Sequence, residues 1–245
     1  MFSSPVSARA LCLYASLLTL SVPAGAADGE AIIQKGGANP AAMPCMSCHG
    51  VDGKGMAAGG FPRLAGLPEA YIAKQLADFK AGRRENPLMQ PIAQALGDGE
   101  AAAVAKAYAS QPKVCIKAGP VERPKEGSGA WLALRGAWER NIPECTLCHG
   151  PAGVGVGDVF PPLAGQSAEY IEAQLRAWRG TPAQLAGKKS KALAAVPATR
   201  RNDPNGLMQH IAADLSEAEI KAVSAYFAGL GESTEPFDES QHRLR

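Results

Sequence analysis

The chain of 245 residues repeats itself at an offset of about 100 residues, and this repeat limits the possible folds more than any other feature. A Cys-x-x-Cys-His motif occurs at 45–49 and again at 145–149, so the two copies of the motif align without a gap. A Tyr-Ile-x-x-Gln-Leu segment follows each motif, beginning at Tyr71 and at Tyr170. The repeat predicts two similar units of roughly a hundred residues each, rather than one continuous core.

The first residues have the pattern of a secretory signal peptide. A short stretch with one positive charge precedes an apolar run at 10–20, and small residues follow up to Ala26. A membrane anchor is the alternative, but the apolar run is only about half of the roughly 20 residues that cross a bilayer. We therefore predict cleavage after residue 26 and an oxidising compartment for the mature chain.

A stretch rich in proline and glycine between the two copies has the composition of an exposed linker. The predicted organisation is a signal peptide at 1–26, a first domain at 27–111, a linker at 112–129, a second domain at 130–232 and a tail at 233–245.

The secondary-structure signals within each copy are helical. Ser216 and Glu219 form a capping-box pattern ahead of apolar residues at helical spacing, and 71–80 and 170–179 show the same spacing. Few segments alternate as strands do. We predict two small all-α domains with long loops, each with too small an apolar core to be stable without a metal or cofactor.

Composition excludes several classes of protein. With 46% hydrophobic and 20% charged residues, the chain is neither disordered nor fibrous. A formal net charge of +2 does not attract nucleic acid, and six cysteines are too few for a disulfide scaffold of this length.

The two Cys-x-x-Cys-His motifs predict covalent attachment of haem c. Two cysteines at this spacing form thioethers with the haem vinyl groups, and the adjacent histidine becomes an axial ligand of the iron. The predicted residues are Cys45, Cys48 and His49 in the first copy and Cys145, Cys148 and His149 in the second. A zinc site is the alternative, but 96 residues separate Cys48 from Cys145. A thioredoxin-like motif would require a βαβ context.

Methionine is the predicted second axial ligand in both copies. Met89 and Met208 lie at equivalent positions, and the first copy has no spare histidine. Met43 and Met56 are alternatives in the first copy, although neither has a counterpart in the second. Because a six-coordinate His/Met iron has no position for substrate, the pattern predicts transfer of single electrons and no catalytic residues.

With these residues in place, the chain resembles the dihaem cytochrome c4 family over essentially its whole mature length. The resemblance lies in the paired Cys-x-x-Cys-His motifs, the Pro-x-Leu-Ala-Gly and Tyr-Ile-x-x-Gln-Leu segments, and the Asn-x-x-Met ahead of the last helix. It implies two tandem class I cytochrome c domains, each around one haem. It also implies that the carbonyl groups of Pro62 and Pro161 accept hydrogen bonds from the axial imidazoles.

The resemblance further implies a periplasmic electron carrier. Its redox partners would be a donor dehydrogenase or quinol-oxidising complex and an acceptor oxidase or reductase, with no nucleic acid and no integral membrane segment after cleavage. A permanent haem subunit of a dehydrogenase complex and a dihaem oxidoreductase with a displaceable ligand are the alternatives.

Two features depart from the repeat. The second copy contains a basic insert at 180–203, which is either a solvated loop or a docking site for an acidic partner. Cys115 has no partner once the haem cysteines are assigned, so it is either buried or an exposed thiol.

Overall fold

The computed structural model describes residues 27–114, 116, 123–180 and 199–230. The predicted signal peptide, Cys115, the larger part of the basic insert and the predicted tail lie outside the described residues. Within these ranges the chain is helical, and strand pairing is limited to isolated bridges. The all-α prediction is therefore confirmed.

Among the described residues, the first repeat contains five α-helices and the second contains their five counterparts. In the first they are α1 (Gly29–Lys35), α2 (Met46–His49), α3 (Glu69–Lys80), α4 (Met89–Ala95) and α5 (Asp98–Ser110). In the second they are α6 (Gly129–Arg135), α7 (Cys145–His149), α8 (Ala168–Arg179), α9 (Leu207–Asp214) and α10 (Glu217–Ala228). The predicted helices at 71–80 and 170–179 are present, and each begins two residues earlier than the apolar spacing indicated.

The last helix of each domain begins with a cap that the sequence supplies. Ser216 accepts a hydrogen bond from the backbone N–H of Glu219, while the Glu219 carboxylate accepts one from the N–H of Ser216. This is the predicted capping box. Gly97 occupies the Ser216 position in the first domain, so there only the Glu100 carboxylate contributes, by accepting from the Gly97 N–H.

A glycine allows the first and last helices of each domain to cross closely. Helix α1 packs against α5, and α6 packs against α10. A β-carbon on Gly29 would overlap the carbonyl oxygen of Ala103, and one on Gly129 would overlap that of Ala222. Only glycine avoids these overlaps, so the first and last helices of each domain can pack closely. This packing sets the position of the two helices around each motif helix.

The predicted linker is exposed at most of its described positions but is buried at Ile116. Ile116 is buried and packs with Ala152 and Ala164 of the second domain, where Val114 joins it. The Pro112 carbonyl accepts a hydrogen bond from the Arg63 guanidinium. The start of the predicted linker is therefore part of the contact between the two domains.

Candidate functional site

Each Cys-x-x-Cys-His motif forms one helical turn, and the histidine ends that turn. Gly50 follows His49 with φ +82°, and Gly150 follows His149 with φ +79°. Because these backbone angles suit glycine, the chain turns sharply after each histidine. The turn is held by a hydrogen bond from the Gly55 N–H to the His49 carbonyl at 2.8 Å.

Both histidines are buried, and each donates a hydrogen bond to a proline carbonyl. His49 Nδ1 lies 3.0 Å from the Pro62 oxygen, and His149 Nδ1 lies 2.8 Å from the Pro161 oxygen. Burial lowers the pKa of both imidazoles, although the carbonyl acceptors oppose this shift. A neutral ring with its proton on Nδ1 leaves the Nε2 lone pair available to a metal.

The two methionines lie at the beginning of equivalent helices, but different residues hold these helix starts. Asn86 accepts a hydrogen bond from the Met89 N–H at 2.8 Å. In the second domain Asp203 has this capping role, since its carboxylate accepts from the N–H of the residue after Met208 at 2.8 Å. Asn205, the sequence counterpart of Asn86, instead adopts φ +63°. Identical residues at equivalent positions of the repeat therefore have different roles at the start of these helices.

The predicted site residues meet in one cavity. All four motif cysteines, both motif histidines, both methionines and both acceptor prolines line this continuous space between the domains. Phe79 and Trp178, at equivalent positions, contribute aromatic walls to it. The structure thus places one complete set of predicted ligands on each side of the same cavity.

The cavity fits two haem groups, which are flat and apolar with one carboxylate-bearing edge. Its walls are mainly apolar, and its polar lining includes hydrogen-bond donors that can bind carboxylates. Among the described residues, the buried Trp178 Nε1 has no hydrogen-bond acceptor. Arg84 and Arg200 also line the cavity and are only 7% and 5% exposed. Buried donors of this kind indicate an anionic group in the cavity.

Arg84 and Arg200 form a pair that crosses between the domains, and we call them the arginine pair. Arg84 donates to the Tyr170 hydroxyl at 2.7 Å and to Gln174 at 2.8 Å, both in the second domain. Arg200 donates to Gln75 of the first domain at 3.3 Å. Burial, and then the charge of Arg84, lower the pKa of Arg200. Each domain therefore supplies a cation to the other.

The end of the basic insert lies in this contact. The Glu85 N–H donates to the Thr199 carbonyl, and the Arg201 N–H donates to the Arg83 carbonyl, both at 2.7 Å. Arg201 also forms an ion pair with Glu85 at 2.6 Å. The two arginines of the insert thus form contacts with the first domain. The lysines of the insert lie outside the described residues.

Sequence reasoning missed the arginine pair and the polar residues that surround it. A signal was present, because Tyr71 and Tyr170, like Gln75 and Gln174, are polar residues repeated at equivalent positions on apolar helix faces. Repeated polar residues facing a core indicate a shared contact. The pairing of Arg84 with Arg200 had no such signal, since it joins residues 116 positions apart.

Comparison with known proteins identifies the family of this chain. The cytochrome c family model matches residues 27–110 and 143–231. A protein of Stutzerimonas stutzeri named thiosulfate dehydrogenase electron acceptor is 55% identical over 88% of this chain and 92% of its own length. Cytochrome c4 of Thiocapsa roseopersicina is 41% identical over 77% of this chain and 88% of its own.

A solved structure is similar to most of this chain. The thiosulfate dehydrogenase TsdBA of Marichromatium purpuratum, in its "as isolated" form, matches 82% of this chain with a TM-score of 0.65 and 38% identity. The match spans 39% of that longer chain. None of the described helices of the present chain is long and apolar enough to cross a membrane. The chain belongs to the cytochrome c family and, within it, to the dihaem cytochromes c4, electron-transfer proteins with two covalently bound haem c groups.

Proposed function

We propose that this protein is a periplasmic electron carrier that accepts electrons from a thiosulfate dehydrogenase and delivers them to a terminal oxidase. The observation that carries the donor assignment is the 55% identity to a thiosulfate dehydrogenase electron acceptor over 92% of that protein. The predicted signal peptide and the family resemblance support the periplasm and the oxidase.

Each haem has the same proposed ligand set. His49 and Met89 bind the first iron, and Cys45 and Cys48 hold its porphyrin; His149, Met208, Cys145 and Cys148 are the counterparts in the second domain. Bound haem supplies a reversible one-electron couple at each site. The protein's own contribution is to orient each imidazole through a proline carbonyl and to exclude water with an apolar wall.

The mouth of the cavity is suited to a brief contact with another protein. Met43, Leu88 and Leu207 line the cavity, and all three are exposed at its rim. Exposed apolar side chains around a redox centre allow close approach without a large, permanent interface. This arrangement favours a carrier that binds and releases its partner.

A permanent subunit of a thiosulfate dehydrogenase complex is the second candidate. It is favoured by the solved TsdBA structure, in which a region similar to this protein is part of a longer chain named thiosulfate dehydrogenase. Gel filtration of the holoprotein with thiosulfate dehydrogenase separates the two candidates. Independent elution at micromolar concentration supports the carrier, and stable co-elution supports the subunit.

The carrier proposal is tested by stopped-flow reduction of the oxidised holoprotein with thiosulfate and catalytic thiosulfate dehydrogenase. We expect both haems to be reduced, and we expect Leu88→Glu to slow the reaction because it places a charge at the rim. Val51→Glu is the matched control, since Val51 is 78% exposed in the same domain and does not line the cavity. Failure of the enzyme to reduce the wild-type protein would contradict the donor assignment.

A further inference from the structure

One peptide group connects the first haem site to the second domain. His49 Nδ1 lies 3.0 Å from the carbonyl oxygen of Pro62. The N–H of that same peptide unit belongs to Arg63, and it donates to Gln166 Oε1 at 2.9 Å. Gln166 belongs to the second domain, and its amide nitrogen returns a hydrogen bond to the Arg63 carbonyl at 3.2 Å. A chain of hydrogen bonds therefore runs from His49 through one peptide to the other domain.

The second haem site has no equivalent chain. The corresponding peptide joins Pro161 to Pro162, and a proline nitrogen has no hydrogen to donate. The residue of the first domain that corresponds to Gln166 is Leu67, whose side chain has no acceptor. The second domain is therefore hydrogen-bonded to the first haem site through this peptide, whereas the first domain has no equivalent connection to the second haem site.

The surroundings strengthen the effect of this connection. Arg63 and Gln166 are both buried, at 5% and 7% exposure. Hydrogen bonds in series polarise one another, by about 10–30% per bond, and burial removes competition from water. An acceptor on the Arg63 N–H therefore makes the Pro62 oxygen a stronger acceptor for His49. A more strongly bound Nδ1 proton makes the imidazole more electron-rich, which favours ferric iron.

We propose that Gln166 is a positioning residue for the first haem, and that through the Pro62–Arg63 peptide it lowers the reduction potential of that haem alone. Contact between the domains thus changes the strength of the hydrogen bond that His49 donates. The two haems consequently differ in potential even with identical axial ligands. This inference rests on the proposed ligation of the first iron by His49.

Two variants of the holoprotein remove the connection from opposite ends. Gln166→Leu removes the acceptor and introduces the residue found at the equivalent position of the first domain. Arg63→Pro removes the N–H and reproduces the peptide of the second domain. Arg63→Ala is the matched control, because it loses the same side chain, with its bonds to the Ala65 and Pro112 carbonyls, but keeps the N–H.

The measurements are the potential of each haem and the NMR resonance of the His49 Nδ1 proton. We expect Gln166→Leu, and Arg63→Pro relative to Arg63→Ala, to raise the first potential and to move that proton upfield, with the second haem unchanged. An unchanged first haem in Gln166→Leu, equal shifts at both haems, or equal effects of Arg63→Pro and Arg63→Ala would overturn the inference. Loss of the His/Met spectrum in the wild-type protein would instead overturn the proposed ligation.

Discussion

The two domains of this protein agree in every residue that a His/Met haem requires and differ in part of the surface where they contact each other. The motif cysteines and histidines, the acceptor prolines and the methionines all have counterparts. The domain contact is only partly repeated, since Arg63 corresponds to Pro162 and Leu67 to Gln166. The difference shows that the haem chemistry is duplicated whereas the domain contact is not symmetric.

The largest expected effect tests whether the duplicated haem sites are independent. Cys148→Ser leaves one thioether position in the second domain, so we expect haem attachment there to be lost or strongly reduced while the first domain keeps its haem. Haem content per chain by pyridine haemochrome assay, together with intact mass, measures this. Cys48→Ser is the reciprocal control, and loss of both haems from either variant would contradict independent sites.

Met208→Ala tests the proposed axial ligation of the second haem. Removing a thioether ligand opens the iron to small ligands, and we expect its potential to fall by roughly 0.2 V, within the ~0.8 V range over which axial ligands set haem potentials. Carbon monoxide binding to the reduced protein and a redox titration measure both effects. Met89→Ala should change only the first haem, and a Met208→Ala protein that binds no carbon monoxide would exclude Met208 as the ligand.

The predicted haem-site residues follow from short local patterns, and the structure brings all of them to one cavity. Adjacent residues form each motif, and the repeat selects one methionine in each copy. The domain contact depends on residues far apart in the chain, such as Arg63 with Gln166, whose pairing has no local pattern. Composition also misled at Ile116, because the glycines and prolines around it indicated an exposed linker, whereas this one apolar residue is buried against the second domain.

Gly129→Ala tests the helix crossing that both domains share. The added methyl group would meet the Ala222 carbonyl, and overpacking of this kind costs about 1–3 kcal/mol. We expect a lower free energy of unfolding for the second domain in denaturant titrations followed at its haem. Gly29→Ala should destabilise the first domain in the same way, and an unchanged midpoint in both variants would contradict the close crossing.

The smallest expected effect concerns the aromatic residue that differs between the domains. Trp178→Phe makes the second pocket like the first by removing the buried Nε1–H donor. A hydrogen-bond donor near a haem carboxylate weakens the negative field of that carboxylate at the iron. We therefore expect loss of the donor to lower the reduction potential of the second haem at pH 8 by less than about 60 mV, which corresponds to a tenfold change in the equilibrium constant for one electron. The first potential is the internal control, and a rise of the second would contradict the assignment.

The most direct test of a carrier with two closed His/Met irons is a visible and near-infrared redox titration of the holoprotein. We predict two haems per chain, both with the charge-transfer band of methionine bound to ferric iron, two resolved one-electron steps, and no carbon monoxide binding after reduction. A haem that lacks this band and binds carbon monoxide would contradict the account and indicate an open, reactive iron.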